Sequence, residues 1–409
     1  MIKFFDKFNL FIFFLIIICF PINAKILYYF RPSDIFIIIF TLSFLFMIRI
    51  KNDYLILILS VFVIILISTF FSFQYYESID QEFKGIIYIY KILTILIIIF
   101  GINHAYKNGY INSINKILFY LFIFQILWVF VYFILVQNNL LQGNLRVSFF
   151  LSNLEDRRMS DSHLYGNYLA MTLIVYSIYW REKLNHNAYI SFFIHILTIF
   201  ACLLTGSKNP LLILFLYYGF LVFEKLFIKI NYFKLLIYLL VFLTFIFFTF
   251  QFIENIIINF SNYLFYENNR VYLIFSRVYN AFLDPFSTDS VLGRIKNLYL
   301  AIDIAANYNF VFGRGLNGEF RYLDGIHSNI IALGGFSLLL IFIIFIFYLL
   351  FSLQKKTISY SNNRIFYIFL AAFIISNIIT EFIFVTRWMI PIVSIGTIIY
   401  LSRFEKIIK

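Results

Sequence analysis

The chain has 409 residues, of which 63% are hydrophobic, 22% aromatic and only 13% charged, with a mean hydropathy of +0.91. Too few polar residues remain to cover a water-facing surface, which excludes an ordinary soluble domain and predicts a chain solvated by lipid. A net charge of +12 would suggest nucleic acid in a soluble protein, but here its distribution across a bilayer must be read first.

A helix needs about 20 apolar residues to cross a bilayer, and such runs predict roughly twelve spans. In chain order they lie near 8–24, 34–49, 54–74, 85–103, 114–136, 164–180, 188–204, 210–228, 233–252, 327–352, 365–382 and 387–402. The first follows Lys3 and Lys7 but has too long an apolar core, and too poor a cleavage site at Ile22-Asn23-Ala24, for a signal peptide. It reads as a span that stays. Placing both termini inside puts the entire positive surplus on the inner side, from Lys3 and Lys7 through Arg181 and Lys183 to Lys406 and Lys409. The basic charge is then a matter of topology, and nucleic acid is not needed as a partner.

Cys19 and Cys202 both fall in apolar runs, so neither a disulfide framework nor a cysteine zinc site is expected. No repeat and no Gly/Ser or Pro-rich linker divides the chain, which reads as one integral membrane domain over 1–409. Most connections are short, but two outer ones are long and should carry the function. Segment 137–163 holds Arg146, Glu155, Asp156, Arg157, Arg158 and Asp161, and 253–326 is large enough for a small extracytoplasmic subdomain between spans nine and ten.

Within the larger loop, Val271, Ile274, Phe275 and Val278 share one face of an amphipathic helix over 270–282. After Asp284-Pro285, the run Ser287-Thr288-Asp289-Ser290 offers N-caps for a second helix near 291–307. Its predicted apolar face is Ile295, Leu298, Tyr299 and Ile302, with Arg294 in the first turn on another face. The glycines of Gly313-Arg314-Gly315-Leu316-Asn317-Gly318 allow a close approach of backbone to something, and Asp324-Gly325-Ile326-His327-Ser328-Asn329 then leads into the tenth span.

Three patterns resemble the O-antigen polymerase and ligase superfamily: Leu204-Thr205-Gly206-Ser207-Lys208-Asn209 opening the eighth span, Arg294 on a loop helix, and Gly313-Arg314-Gly315 followed by His327-Ser328-Asn329. The resemblance covers about 140–350; Lys208 stands where the family usually has Arg, keeping the cation without the bidentate fork. It implies an all-α polytopic membrane protein of about 12 transmembrane helices with a large helical extracytoplasmic loop between spans nine and ten. It also implies glycosyl transfer from a polyprenyl-diphosphate-linked oligosaccharide at the outer face of a bacterial cytoplasmic (inner) membrane, as in O-antigen or capsule polymerisation. A ligase moving finished glycan onto lipid A core shares the donor chemistry, and a flippase would suit a dozen spans equally. Against the flippase, charge is nearly absent at mid-span and polar residues crowd one outer face.

The leaving diphosphate can be met by fixed cations, so no metal and no cofactor is expected, and a chain-length regulator is a further implied partner. His327 is the preferred base for the acceptor hydroxyl, with a capping histidine as the plain alternative and His163 as a competitor. His195 reads as a hydrogen bond between helices, and His104 and His186 face the cytoplasm. Arg294 would hold the diphosphate, or else meet solvent and headgroups. Lys208, before Pro210 at a helix start, is an anion contact or an ordinary interfacial lysine. Arg314, Arg321, Arg146 and Asn329 complete the candidate substrate contacts. Lys91 is within snorkelling reach of the outer face, and Glu381 and Arg387 pair across a short turn.

Overall fold

The computed structural model describes residues 2–19, 32–45, 63, 67, 86–138, 162–205, 208–227, 289–314, 326–351, 360–379 and 386–402. All of its regular structure is helical, with no strand among the described residues. The helices are α1 (Ile2–Cys19), α2 (Pro32–Leu45), α3 (Ile86–Lys107), α4 (Ile111–Gln137), α5 (Ser162–Val175), α6 (Ala188–Leu204), α7 (Lys208–Phe227), α8 (Asp289–Tyr308), α9 (Ile326–Phe351), α10 (Tyr360–Ile379) and α11 (Thr386–Ser402). After α5 the chain passes through one π turn, Tyr176–Trp180, and a last stub, Arg181–Lys183. The expected helices near 233–252 and 270–282, and most of 54–74, lie outside the described residues.

Two compact units divide the chain, one formed by 1–121 with 289–409 and the other by 122–288. In the first, α1 packs on α2, α3 on α11, and α8 on α9. Gly101 lets the ring of Phe13 lie directly on α3, and Gly396 does the same for Phe369 on α11. In the second, α5 packs on both α6 and α7. Gly166 is the close point: a Cβ there would stand 2.6 Å from Pro210 Cγ and 2.8 Å from Thr205 Oγ1. The start of α5 is thereby seated against the α6–α7 turn.

α6 is patterned opposite to a soluble helix. Its buried face is Ser191, Ile194, Thr198, Ala201 and Cys202, mostly small or polar, while Tyr189, Phe192, Phe193 and Phe200 are exposed. α4 exposes Tyr120, Phe124, Leu127, Val131 and Ile134, a stripe at helical spacing, although its opposite face is buried and apolar too. Among the described residues Ile111–Val136 is the one stretch long and apolar enough to cross a membrane; Lys7–Cys19, Ala188–Leu204, Asn209–Gly219, Ser328–Ile341, Ile365–Ile374 and Ile390–Ser402 are shorter apolar helices.

Candidate functional site

Of the candidate site residues singled out by sequence, Arg314 and Asn329 are described with their side chains, both at the junction of α8 and α9. Ala301 and Ala305 of α8 pack on Ile331 and Ala332 of α9, with Leu298 and Ile302 alongside. Leu298 and Ile302 pack as expected, but Tyr299 is 70% exposed, which corrects that part of the expected face, and two alanines that a scan for large apolar side chains passes over are buried in the contact. Small residues let helix axes approach, so the contact face need not be the bulkiest one. Arg294 stands four residues before Leu298 and seven before Ala301 in α8. Because α8 begins at Asp289, Arg294 also sits in the second turn, not the first.

α9 is broken at Gly335, whose φ of 59° and ψ of −156° no other residue type adopts readily. The chain leaving α8 turns at Asn309 and runs back along this break. Asn309 Oδ1 accepts from the amides of Val311 (3.0 Å) and Phe312 (3.1 Å), and its carbonyl accepts from Gly313 (2.6 Å). Phe310 and Val311 carbonyls then accept from the amides of Phe336 (3.2 Å) and Ser337 (3.0 Å), and Arg314 N–H donates to Ala332 O (3.0 Å). Ser337 Oγ donates to Val311 O (2.5 Å), and the rings of Phe310 and Phe336 stack at 4.4 Å. A Cβ on Gly313 would stand 2.5 Å from Gly335 N, so this is the partner of the glycine turn. Residues 310–314 therefore run back from the end of α8 alongside residues 332–337 of α9.

That path ties the main chain of Arg314 to Ala332, which follows Ser328 and Asn329 by four and three residues in α9. Arg314 is only 7% exposed, Ser328 fully buried and Asn329 1% exposed. Ser328 Oγ has no hydrogen-bond partner. A buried arginine tied to α9 by its main chain, and a buried amide and unsatisfied hydroxyl in that helix's first turn, thus occur at one junction, and the N-terminal end of a helix favours negative charge. His327 belongs to the same first turn by its backbone. Its side chain, like those of Arg294, Lys208 and His163, lies outside the described atoms, and Arg321, Arg146, Arg157 and Arg158 lie outside the described residues altogether.

Lys208 is the first residue of α7, in the other unit, so Pro210 is the third residue of the helix, not the first. Proline is tolerated there because the first four helical amides have no intrahelical acceptor to lose. Asn209 is buried at the same end. His195 bonds across helices as expected: Nε2 lies 2.7 Å from Ser177 Oγ in the π turn and Nδ1 2.6 Å from Ser191 O. His186 Nδ1 lies 3.1 Å from Tyr176 OH. Within α4, Gln125 accepts from Tyr165 OH (2.5 Å) while its own Nε2 donor is buried and unpaired.

Sequence reasoning named Arg314 and Asn329 but missed Asn309, Ser337 and the Gly334-Gly335 pair. The pair was the available signal, since adjacent glycines inside an apolar helix cost stability unless something requires them. Among the described residues no group of His, Cys, Asp and Glu could hold a metal ion. Comparison with protein-family models, curated proteins and solved structures finds no match to this chain.

Proposed function

We propose that this protein is a polytopic membrane glycosyltransferase that polymerises polyprenyl-diphosphate-linked oligosaccharide repeats at the outer face of a bacterial cytoplasmic membrane. The observation that carries the reading is the buried polar set at this junction: Arg314, whose main chain is tied to Ala332 of α9, with Ser328 and Asn329 buried in the first turn of that helix and Ser328 Oγ without a hydrogen-bond partner. Such a place suits a diphosphate. The polar inside and aromatic outside of α6, and the exposed apolar stripe of α4, support the bilayer, because lipid removes the penalty for exposing them. About twelve spans, both termini cytoplasmic, and an extracytoplasmic loop over 253–326 are part of the proposal, resting on the hydropathy and the charge asymmetry.

In the reaction the acceptor sugar hydroxyl attacks the anomeric carbon of the donor, and the bond from that carbon to the diphosphate oxygen breaks. Arg314 and Arg294 stabilise the departing charge, and His327 takes the hydroxyl proton. The sugar-diphosphate bond supplies the driving force. Lys208 is a separate proposed contact for lipid diphosphate, for which charge matters more than geometry. Lys208→Arg should keep activity and Lys208→Ala lose most of it.

Purified protein given lipid-linked repeat and no energy source should lengthen the glycan; unchanged substrate would remove the enzyme reading and leave transport. His327→Ala should slow transfer by on the order of a hundredfold with donor binding nearly intact. Arg314→Ala should weaken donor binding as well, since the donor already carries its charge before reaction. With a histidine base, turnover should fall as the medium is acidified and the base is protonated. Normal polymer from His327→Ala protein would move the base elsewhere, to Asp324, Glu319 or His163.

A further inference from the structure

We infer that the Asn309–Arg314 turn is a clamp on the break in α9, and that Asn309, Gly313, Gly335 and Ser337 are positioning residues for His327 and Arg314 in the transfer reaction; this rests on the function proposed above. A helix broken at Gly335 leaves the carbonyls before it and the amides after it without their usual partners. In a bilayer, water cannot supply them. Here the return segment does, through Ala332 O, Phe336 N–H and Ser337 N–H. Without it, the nine-residue half-helix from Ile326 to Gly334 would be held against α8 by side-chain packing, such as that of Ile331 and Ala332 on Ala301 and Ala305, with no main-chain bond across the break. With it, a rotation of that half-helix must break main-chain hydrogen bonds and pull two glycine backbones apart.

The clamp is stiff in its own right, because Asn309 ties the amides of Val311 and Phe312 with its side chain and that of Gly313 with its carbonyl. One end of this rigid turn continues α8, the helix that carries Arg294; the other end is Arg314 itself. The turn therefore fixes two proposed donor contacts and the helix of the proposed base in a single frame. Burial follows the same boundary. Every residue from Ser328 to Gly335 is buried, whereas Phe336, Leu340, Ile343 and Ile344 beyond the break are exposed at helical spacing. The first half belongs to the site and the second to the surroundings.

The test uses full-length protein in membranes with Cys19 and Cys202 replaced by alanine. Phe310→Cys with Phe336→Cys, oxidised by copper phenanthroline, should form an intramolecular disulfide and keep its turnover, since a static clamp need not open. Absence of the disulfide, while each single-cysteine variant still reacts with maleimide, would overturn the clamp. Loss of turnover on cross-linking, restored by reduction, would overturn its static role. The gentler variant is at Asn309, which is only partly buried. Asn309→Ala should lower kcat about tenfold with KM for lipid-linked repeat within about twofold, and Asn309→Asp, which retains the acceptor oxygen, should restore kcat. Unchanged kcat in Asn309→Ala would make the turn merely structural. If the disulfide forms but the unmutated protein extends no glycan, the proposed reaction fails and takes the positioning role with it, while the clamp itself stands.

Discussion

Each unit has a glycine contact closer than a side chain would allow, and two of these, one from each unit, are built differently. In the second unit Gly166 of α5 lies against side-chain atoms, Pro210 Cγ and Thr205 Oγ1. In the first unit Gly313 and Gly335 lie against each other's main chain, and a Cβ on Gly335 would stand 2.5 Å from Val311 C and O. A threonine can turn and a proline can shift by a few tenths of an ångström. A main chain held by hydrogen bonds on both sides cannot. The glycine of the second unit thus sets how tightly α5 packs, whereas those of the first decide where α9 breaks and what fills the break.

That difference ranks the substitutions. Gly335→Ala should be the most damaging, because it forces a side chain into a backbone region open in practice to glycine alone and expels the turn from Val311. A loss of ~3 kcal/mol or more is expected, read as a collapse in thermal stability of the purified protein together with loss of the Phe310–Phe336 cross-link. Gly166→Ala should cost about 2 kcal/mol by overpacking while leaving that cross-link intact. Equal damage from the two would erase the distinction between main-chain and side-chain contact. Ser337→Ala should cost about 1 kcal/mol, the value of one hydroxyl bond to Val311 O, and Ser337→Thr should recover most of it. If Ser337→Ala were as harmful as Gly335→Ala, the hydroxyl and not the backbone fit would hold the clamp.

The same contrast separates what the sequence discloses from what it hides. Apolar runs located helices well: 188–204 coincides with α6, and 387–402 differs from α11 by one residue. α1 starts at Ile2 instead of near 8 because Lys3, Asp6 and Lys7 end the apolar run without ending helical propensity. The break in α9 was invisible to this reading, since two glycines hardly alter the hydropathy of a run from 326 to 351. Its cause is non-local: the partner of Gly335 is Gly313, on the other side of a long connection. Residue types alone indicate that the glycines around Arg314 allow a close approach of backbone, but not to what. The α8 contact was misjudged for a related reason. Ala301 and Ala305 contribute little to an apolar face by size, yet their smallness is what admits α9. Arg314 was legible as a candidate from its flanking glycines, and its burial was not, because burial depends on where the return segment docks.

The smallest effect expected is of opposite sign and tests whether glycine is required by contact at all. Gly219 lies within α7, in the same helix as Pro210, and a Cβ there would meet nothing within 4 Å. No positive φ holds it to glycine, which is found at Gly109, Gly313 and Gly335 among the described glycines. Alanine at 219 then removes backbone freedom from the unfolded chain and adds no clash. Gly219→Ala should stabilise the protein by about 0.5–1 kcal/mol, seen as a rise in Tm of ~1–2 °C in detergent or nanodiscs. Activity should stay unchanged, because neither Lys208 at the start of α7 nor the Gly166 contact is disturbed. A destabilised Gly219→Ala variant would mean that this face of α7 is covered in the membrane by a close-packed neighbour, and α7 would then join α9 as a helix whose glycine is placed for contact.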